Sequence, residues 1–524
     1  MVEKVLRVVI DVIAKVILLF LMGTLLFGKL YLKSNRYHIN EKTYFTDVMP
    51  NIYIFLIVAA MVLCFGFIYY KFRGTERRIR SLKTKLAVAS VIVALVQAVV
   101  FYNIYYVAGN DVYNVYQGAQ IFAAGGYDEF LNTAYYQLCP NNIMIYTIMI
   151  VVSKLCMYVN INAYVALVVL SVVGVDIAIY VMALVVYKMT DSDGLTLIAY
   201  IIAVILVALS GWASVPYTDS LSILFPILTL YIFLNMRDKD INLGLKMLAV
   251  GIIPVMTYKL KALNVIILIA ICCTLIIFDV KKIRKSDMLS GLIAILVLGL
   301  IYVGGNKLME ASIDYVPNKD VELSLEWYLL LGSNPNSIGQ WSYEDYQLAV
   351  LDKLGYEERR KACYDVISSR YEEMGFTGLI AHLNNKNQLF YNDPGFGYGL
   401  TGNSIRYFPE RDTQVATFLR NVYYHSADYG LAAATDEYGL YYMPYIISMQ
   451  FAWMAVLMGI GSFILWRPKD KKLYYVLLEI TFIGLYLFTM LFEVSARLLY
   501  SYLPVLIVAM ALGWDLIRRK IRGK

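Results

Sequence analysis

The sequence predicts an all-α polytopic membrane protein, and three observations carry that prediction. Of 524 residues, 60% are hydrophobic and only 16% charged, with a mean hydropathy of +0.61. Apolar runs near the length of about 20 residues that one crossing needs recur from end to end, about 12–13 of them in all. The basic residues gather in short stretches between those runs, as the positive-inside rule requires of cytoplasmic loops.

The first run, 8–31, is too long and too close to further spans to be a removable signal peptide. Runs at 51–70 and 86–107 follow. Between them lie Lys71, Arg73, Arg77, Arg78, Arg80, Lys83 and Lys85 against a single Glu76, so this loop is read as cytoplasmic. Lys281 to Lys285, Arg467 to Lys472 and Arg518 to Lys520 are read the same way, which places both termini in the cytoplasm. Four parts result: an N-terminal membrane hairpin (1–85), a second membrane module (86–305) with a first outer loop at 108–141, an extracytoplasmic domain of mixed but mostly helical character (306–442), and C-terminal membrane helices (443–524).

The runs at 86–107, 142–158, 161–187, 195–213, 217–235, 244–258 and 262–280 number seven, yet they join two cytoplasmic anchors and must cross an even number of times. One run is therefore not a full span. Backbone breaks inside a bilayer only where protein buries it or a wet cavity receives it. Ser210 to Ser220, with Gly211, Pro216 and Asp219, is the best candidate for the break, and a cavity is expected there. A simple kink is the alternative, and the carboxylate of Asp219 favours the cavity.

Asp111 stands where the run 86–107 meets water, on the outer side. From Ala108 to Asn141 there is no Lys or Arg, while Asn110, Tyr113, Tyr116, Gln117, Tyr135, Gln137, Asn141 and Asn142 supply hydrogen-bonding groups. Such a segment suits a neutral polar ligand such as a sugar, or an amphipathic loop resting on the bilayer. Lys259 and Lys261 interrupt an apolar stretch, where a central lysine costs about 2.5–3.5 kcal/mol. In a tight turn on the outer side they would hold an anion, with a lipid phosphate fitting; at a helix end they would snorkel. Glu493 and Arg497 are four apart, a spacing for an ion pair on one helix face, and Arg497 can also present its fork to phosphate.

Other chemistries are poorly represented. Three histidines lie far apart, and six cysteines show no metal-ligand spacing, although Cys139 and Cys363 share the oxidising side and could pair. The net charge of +7 belongs to the loops rather than to a nucleic-acid surface. Walker-type phosphate loops, dinucleotide fingerprints and internal repeats are absent from the sequence. In 306–442 two clusters stand out, Gly332 to Asp345 with Trp341, and Asn392-Asp393-Pro394.

Taken together these residues resemble the GT-C superfamily of membrane glycosyltransferases, and more narrowly the bacterial branch related to protein O-mannosyltransferases and lipid A aminoarabinose transferases. Four features carry the resemblance: Asn110-Asp111 in the first outer loop; Asp219 opening a later span; Gly339-Gln340-Trp341 with Glu344-Asp345, and Asn392-Asp393-Pro394, in the outer domain; and Glu493, Arg497, Tyr500 and Pro504 near the end. It spans most of the chain from Leu86 onward, on motifs that are each short. One departure is Asn110, where eukaryotic-type relatives carry a second acid; a lone carboxylate is a poor site for a hard cation. A divalent cation therefore stays open as cofactor, without assigned ligands.

The resemblance implies transfer of a sugar from a polyprenyl-phosphate donor to a hydroxyl of a glycan, lipid or protein acceptor outside the cell membrane. Asp111 and Asp219 would be catalytic, and Lys259, Lys261 and Arg497 would hold the donor phosphate. Asn110, Tyr116, Trp341, Asp345 and Glu493 would contact substrate. The rival reading is a transporter or flippase of a lipid-linked saccharide, which would place its charges near the membrane midplane rather than at one face.

Overall fold

The computed structural model describes residues 2–28, 51–71, 81–279, 285–352, 354–398, 405–409, 411, 413–424, 439–466 and 472–521. The basic loops at 72–80, 280–284 and 467–471, central to the charge argument, lie outside the described residues.

The chain opens with α1 (Val2–Phe27), α2 (Asn51–Lys71) and α3 (Leu82–Ile104), then β1 (Val107–Ala108), α4 (Asn110–Ala123) and α5 (Ile143–Val159). Next come α6 (Ala163–Thr190), α7 (Asp193–Ala203), α8 (Leu224–Met236), α9 (Leu243–Thr257), α10 (Ile266–Asp279) and α11 (Lys285–Ser312). A polar portion holds α12 (Leu325–Ser333), α13 (Tyr356–Tyr391), β2 (Ile405–Tyr407) and α14 (Gln414–Tyr423). The chain returns to the bundle with α15 (Gly439–Leu465), α16 (Lys472–Leu491) and α17 (Leu503–Ile521).

Helices α2, α3, α6 and α10 are apolar on nearly every face, which is what a helix needs when its outer side meets hydrocarbon. On α6, Val175, Met182 and Val185 are buried inward while Val169, Val173 and Ile177 are exposed outward. Side chains mark the starts: Asn162 accepts from Val165 N before α6, Ser192 from Leu195 N before α7, and Asn242 from Gly244 N before α9. Among the described residues eight helices are long and apolar enough to cross a membrane, and shorter apolar ones cover 51–64, 193–208 and 243–257. Where α15 and α17 cross, Gly459 meets Gly513, and a Cβ on Gly513 would overlap the Gly459 carbonyl oxygen and lie 2.9 Å from Phe463 N. Small residues of this kind let membrane helices approach closely.

The two ends of the bundle are distinguishable by contacts. Arg518 at the end of α17 donates to Thr190 O at the end of α6 (3.2 Å). At the opposite end the last turn of α1 meets the polar portion, with Asn387 Nδ2 donating to Thr24 Oγ1 (3.1 Å). Asp111 lies at this second end, where β1 pairs antiparallel with β2 and pins the polar portion to the start of α4.

The odd run is not the one expected. α5 leaves from Asn141 and Asn142, which share a cavity wall with Asp111, and the next helix opens where Ala108 N donates to Tyr164 Oη (3.1 Å). Between those points α5 lies along α4, with Gln120 Nε2 donating to Ser153 Oγ (2.5 Å). A helix that departs from and returns to the same end of the bundle does not traverse it. The run 142–158 is thus removed from the seven, and the count becomes even.

The expected break at Ser210 to Ser220 is nonetheless real. α7 widens into a π-helical turn over Val204–Ala208, a 3-10 turn follows at Gly211–Ser214, and helix resumes at Thr218. This non-helical backbone is buried, and Trp212 Nε1 donates to Phe396 O (2.8 Å) from the polar portion. It joins the runs 195–213 and 217–235 and removes neither from the count, so parity did not depend on it.

The polar portion has its own small core of Leu323, Trp327, Leu330, Leu331, Ala349 and Cys363. Lys386 of α13, wholly buried, donates to the carbonyls of Gly332 (3.0 Å), Met490 (2.6 Å) and Phe492 (2.9 Å). One ammonium thereby satisfies the ends of α12 and α16 together. Cys139 packs against the same small core as Cys363, but both thiols are free, so the pairing that their shared side allowed is not made.

Candidate functional site

Four charged side chains from four separate elements meet at the Asp111 end. Asp111 occupies the first turn of α4, where the helix dipole favours a carboxylate. α16 stops at Leu491, and the irregular link after it delivers Arg497. Arg497 Nη2 lies 3.1 Å from Asp111 Oδ2, and its Nε lies 4.0 Å from Asp219 Oδ2. The other oxygen of Asp219 contacts Lys261 Nζ. Asp219 arrives from the turn after the break, Lys261 from the tight turn between α9 and α10. The signs alternate along Asp111, Arg497, Asp219 and Lys261, whose side chains are 34%, 13%, 1% and 5% exposed, so the inner pair is nearly sealed. Only the first member opens appreciably to solvent.

It opens onto a cavity of about 670 Å³. One face of α4 supplies Asp111, Asn114, Gln117 and Ile121; Tyr135, Tyr217, Trp327, Tyr328 and Trp341 add aromatic surface; Asn141, Asn142 and Glu493 add polar groups. The Arg497 guanidinium also sits 5.4 Å from the Tyr217 ring centroid. Amides for hydroxyls and flat rings for apolar faces are what a saccharide-sized ligand would meet.

The structure brings together Asp111, Asp219, Lys261, Arg497, Glu493 and Trp341, but not the other candidates. Lys259 is half-buried, lines no part of the cavity and has no ion pair among the described residues. The two lysines stand two positions apart in the turn, and only Lys261 reaches an acid of the row. Tyr116 packs edge-on against Tyr164 at 5.0 Å, two residues off the Asp111, Asn114, Gln117 face of α4 and outside the cavity wall. Asn110 is exposed with φ 49, and its position serves the turn into α4. Asp345 is buried on Arg370 (2.5 Å) and Asn334 (2.8 Å), a structural knot in the polar portion. Asp393 likewise accepts from Gly395 N (2.8 Å) and Gly397 N (2.6 Å) and shapes its own loop. Glu493 and Arg497 do not share a helix face, because the helix has ended before them.

Sequence reasoning missed Asn114, Trp327 and Tyr328 as wall residues. Asn114 was recoverable from its spacing of three from Asp111. Trp327 and Tyr328 had no such signal, since their approach depends on how α12 docks.

Among the described residues no three His, Cys, Asp or Glu side chains gather as a metal would require. The two acids of the row each contact a cation of the chain, a donor set that does not fit a hard-cation cage. Cys139 on the cavity wall has its thiol pushed up to about 12, chiefly by burial, which makes it a weak nucleophile at neutral pH.

Glu493 is pushed from 4.5 up to about 7, by burial first, with Arg497 opposing the shift and Asp111 adding to it. Between those values the folded chain holds a proton that the unfolded chain has released. Stability from this group is therefore complete below about 4.5 and is lost as pH rises through about 7. Glu493→Gln should flatten the dependence of thermal unfolding on pH across this window. An unchanged slope in the variant would mean that Glu493 does not titrate there.

No curated protein and no solved structure matches the chain. A family described as conserved hypothetical integral membrane proteins matches residues 2–517, nearly the whole length, and this chain belongs to that family of integral membrane proteins.

Proposed function

We propose that the protein is a GT-C-like glycosyltransferase that moves a sugar from a polyprenyl-phosphate donor to an acceptor hydroxyl on the outer face of the cell membrane. The observation that carries this reading is Asp111: a carboxylate held by Arg497 at 3.1 Å, on the wall of a cavity of amides and aromatic rings. The acceptor hydroxyl attacks the anomeric carbon, the new C–O bond forms as the bond to the phosphate oxygen breaks, and the proton passes to Asp111. The lipid phosphate leaves with the bonding pair and gains charge, which Arg497 at the cavity wall is placed to offset. Asp219 is a positioning residue in this scheme, holding Arg497 from behind, and Lys261 neutralises Asp219 rather than meeting the donor.

A transporter or flippase is less well supported. Its charges belong near mid-bundle, whereas Asp111, Asp219, Lys261 and Arg497 all stand at helix starts at one end. The direct test is transfer by the purified protein from a synthetic polyprenyl-phosphate sugar, together with surface glycans compared between cells with and without the gene. Loss of a glycan and transfer in vitro are the expected results. Unchanged glycans with movement of the lipid-linked sugar across vesicles would favour the carrier.

A further inference from the structure

The face of α4 turned away from the cavity leads to a second site. α3 and α14 enclose an open apolar groove of about 660 Å³, with Ile92, Val96 and Val99 on one wall and Val415, Phe418 and Leu419 on the other. Its apolar side chains are not covered: Val99 is 58% and Val415 52% exposed. From Ile92 to Tyr102 a helix advances about 15 Å at 1.5 Å per residue. That is about half of a hydrocarbon core ~30 Å thick, the depth of one leaflet.

Arg411 stands at the head of this groove, on Tyr102 one turn beyond Val99, and Arg406 flanks the same aromatic cluster through Tyr113. The Arg411 guanidinium lies 3.6 Å from the Tyr102 ring centroid and 4.7 Å from that of Tyr105, and donates to Tyr105 Oη (3.1 Å). Its Nη1 is buried without a hydrogen-bond partner. Arg406 stands 3.7 Å from the Tyr113 ring centroid. Neither pairs with a carboxylate among the described residues. Tyrosine stacking orients the cations and a membrane interface favours such rings, but a buried N–H still calls for an acceptor. A phosphate offers several acceptors in the geometry a guanidinium fork matches.

We propose that this groove binds one anionic phospholipid of the surrounding leaflet, its phosphodiester on Arg411 and Arg406 and an acyl chain between α3 and α14. Charge complementarity at the head and the one-leaflet depth below it select that occupant. The donor lipid is not chosen, because this head lies by Tyr113, on the far side of α4 from Asp111, and would not present its phosphate to the cavity. The proposal does not depend on the catalytic reading.

The test is native mass spectrometry of the purified full-length protein titrated with phosphatidylglycerol or phosphatidylcholine. Preferential retention of phosphatidylglycerol is expected. Arg411→Gln should weaken it roughly tenfold, the lower range for hydrogen bonds to a charged group, and should weaken phosphatidylcholine less, because choline already offsets the charge of its phosphodiester. Arg406→Gln should act in the same direction, and Val99→Trp, which fills the groove, should reduce retention of both lipids. Should Arg411→Gln fail to fold, those two variants decide the matter. Equal retention of the two lipids by the unmodified protein, or unchanged retention in the folded variants, overturns the proposal. So does displacement of phosphatidylglycerol by a polyprenyl phosphate at lower concentration than phosphatidylglycerol itself binds, which would give the groove to the lipid carrier.

Discussion

Asp111→Asn is expected to lower the turnover of sugar transfer by roughly 10²–10⁴-fold, the usual contribution of a positioned general base. Asparagine keeps the size of the side chain and an oxygen that can still accept from Arg497 Nη2. The cavity wall and the charged row behind it should therefore stay in place. What disappears is basicity, so the loss should appear in the catalytic rate, with donor KM little changed. Folding of the purified variant, read as thermal stability and elution volume, should match the parent. Near-normal transfer by folded Asp111→Asn protein would remove Asp111 from the chemistry, and the cavity would then be a binding site only.

Local spacing made some of this site legible and tertiary docking hid the rest. Asp111 was visible because a lone acid at the end of an apolar run needs a reason, and helical periodicity then implies Asn114 and Gln117 beside it. The same periodicity should have excluded Tyr116, which lies two residues off that face. The membrane helices followed from hydropathy alone, but hydropathy cannot distinguish a run that traverses from one that lies along its neighbour. α5 is as apolar as a span, and only the bond from Ala108 to Tyr164 reveals that it returns to its starting end. Acids in the polar portion misled for the opposite reason: Asp345 and Asp393 look available in sequence, yet both are engaged inside their own fold. The pairing of Lys261 with Asp219 bridges 42 positions in sequence, and nothing in either segment names the other.

That pair sets the second large expectation, one of stability. Asp219 and Lys261 are nearly sealed from solvent, with side chains 1% and 5% exposed. Removing one partner leaves the other charge buried, a change that costs about 3–5 kcal/mol where such pairs have been broken. Lys261→Gln and Asp219→Asn should each lower the thermal unfolding temperature markedly, and Asp219→Asn should also loosen Arg497, whose Nε faces Asp219 at 4.0 Å. The double variant should lose much less than the two single losses added, since neither charge is then stranded. A lysine that instead held donor phosphate would give another pattern. Lys261→Gln would then leave unfolding almost unmoved, raise donor KM and show no coupling to Asp219→Asn. A full double-variant cycle on stability, with donor titration on the same preparations, separates the two roles, and additive stability losses would break the charged row as drawn.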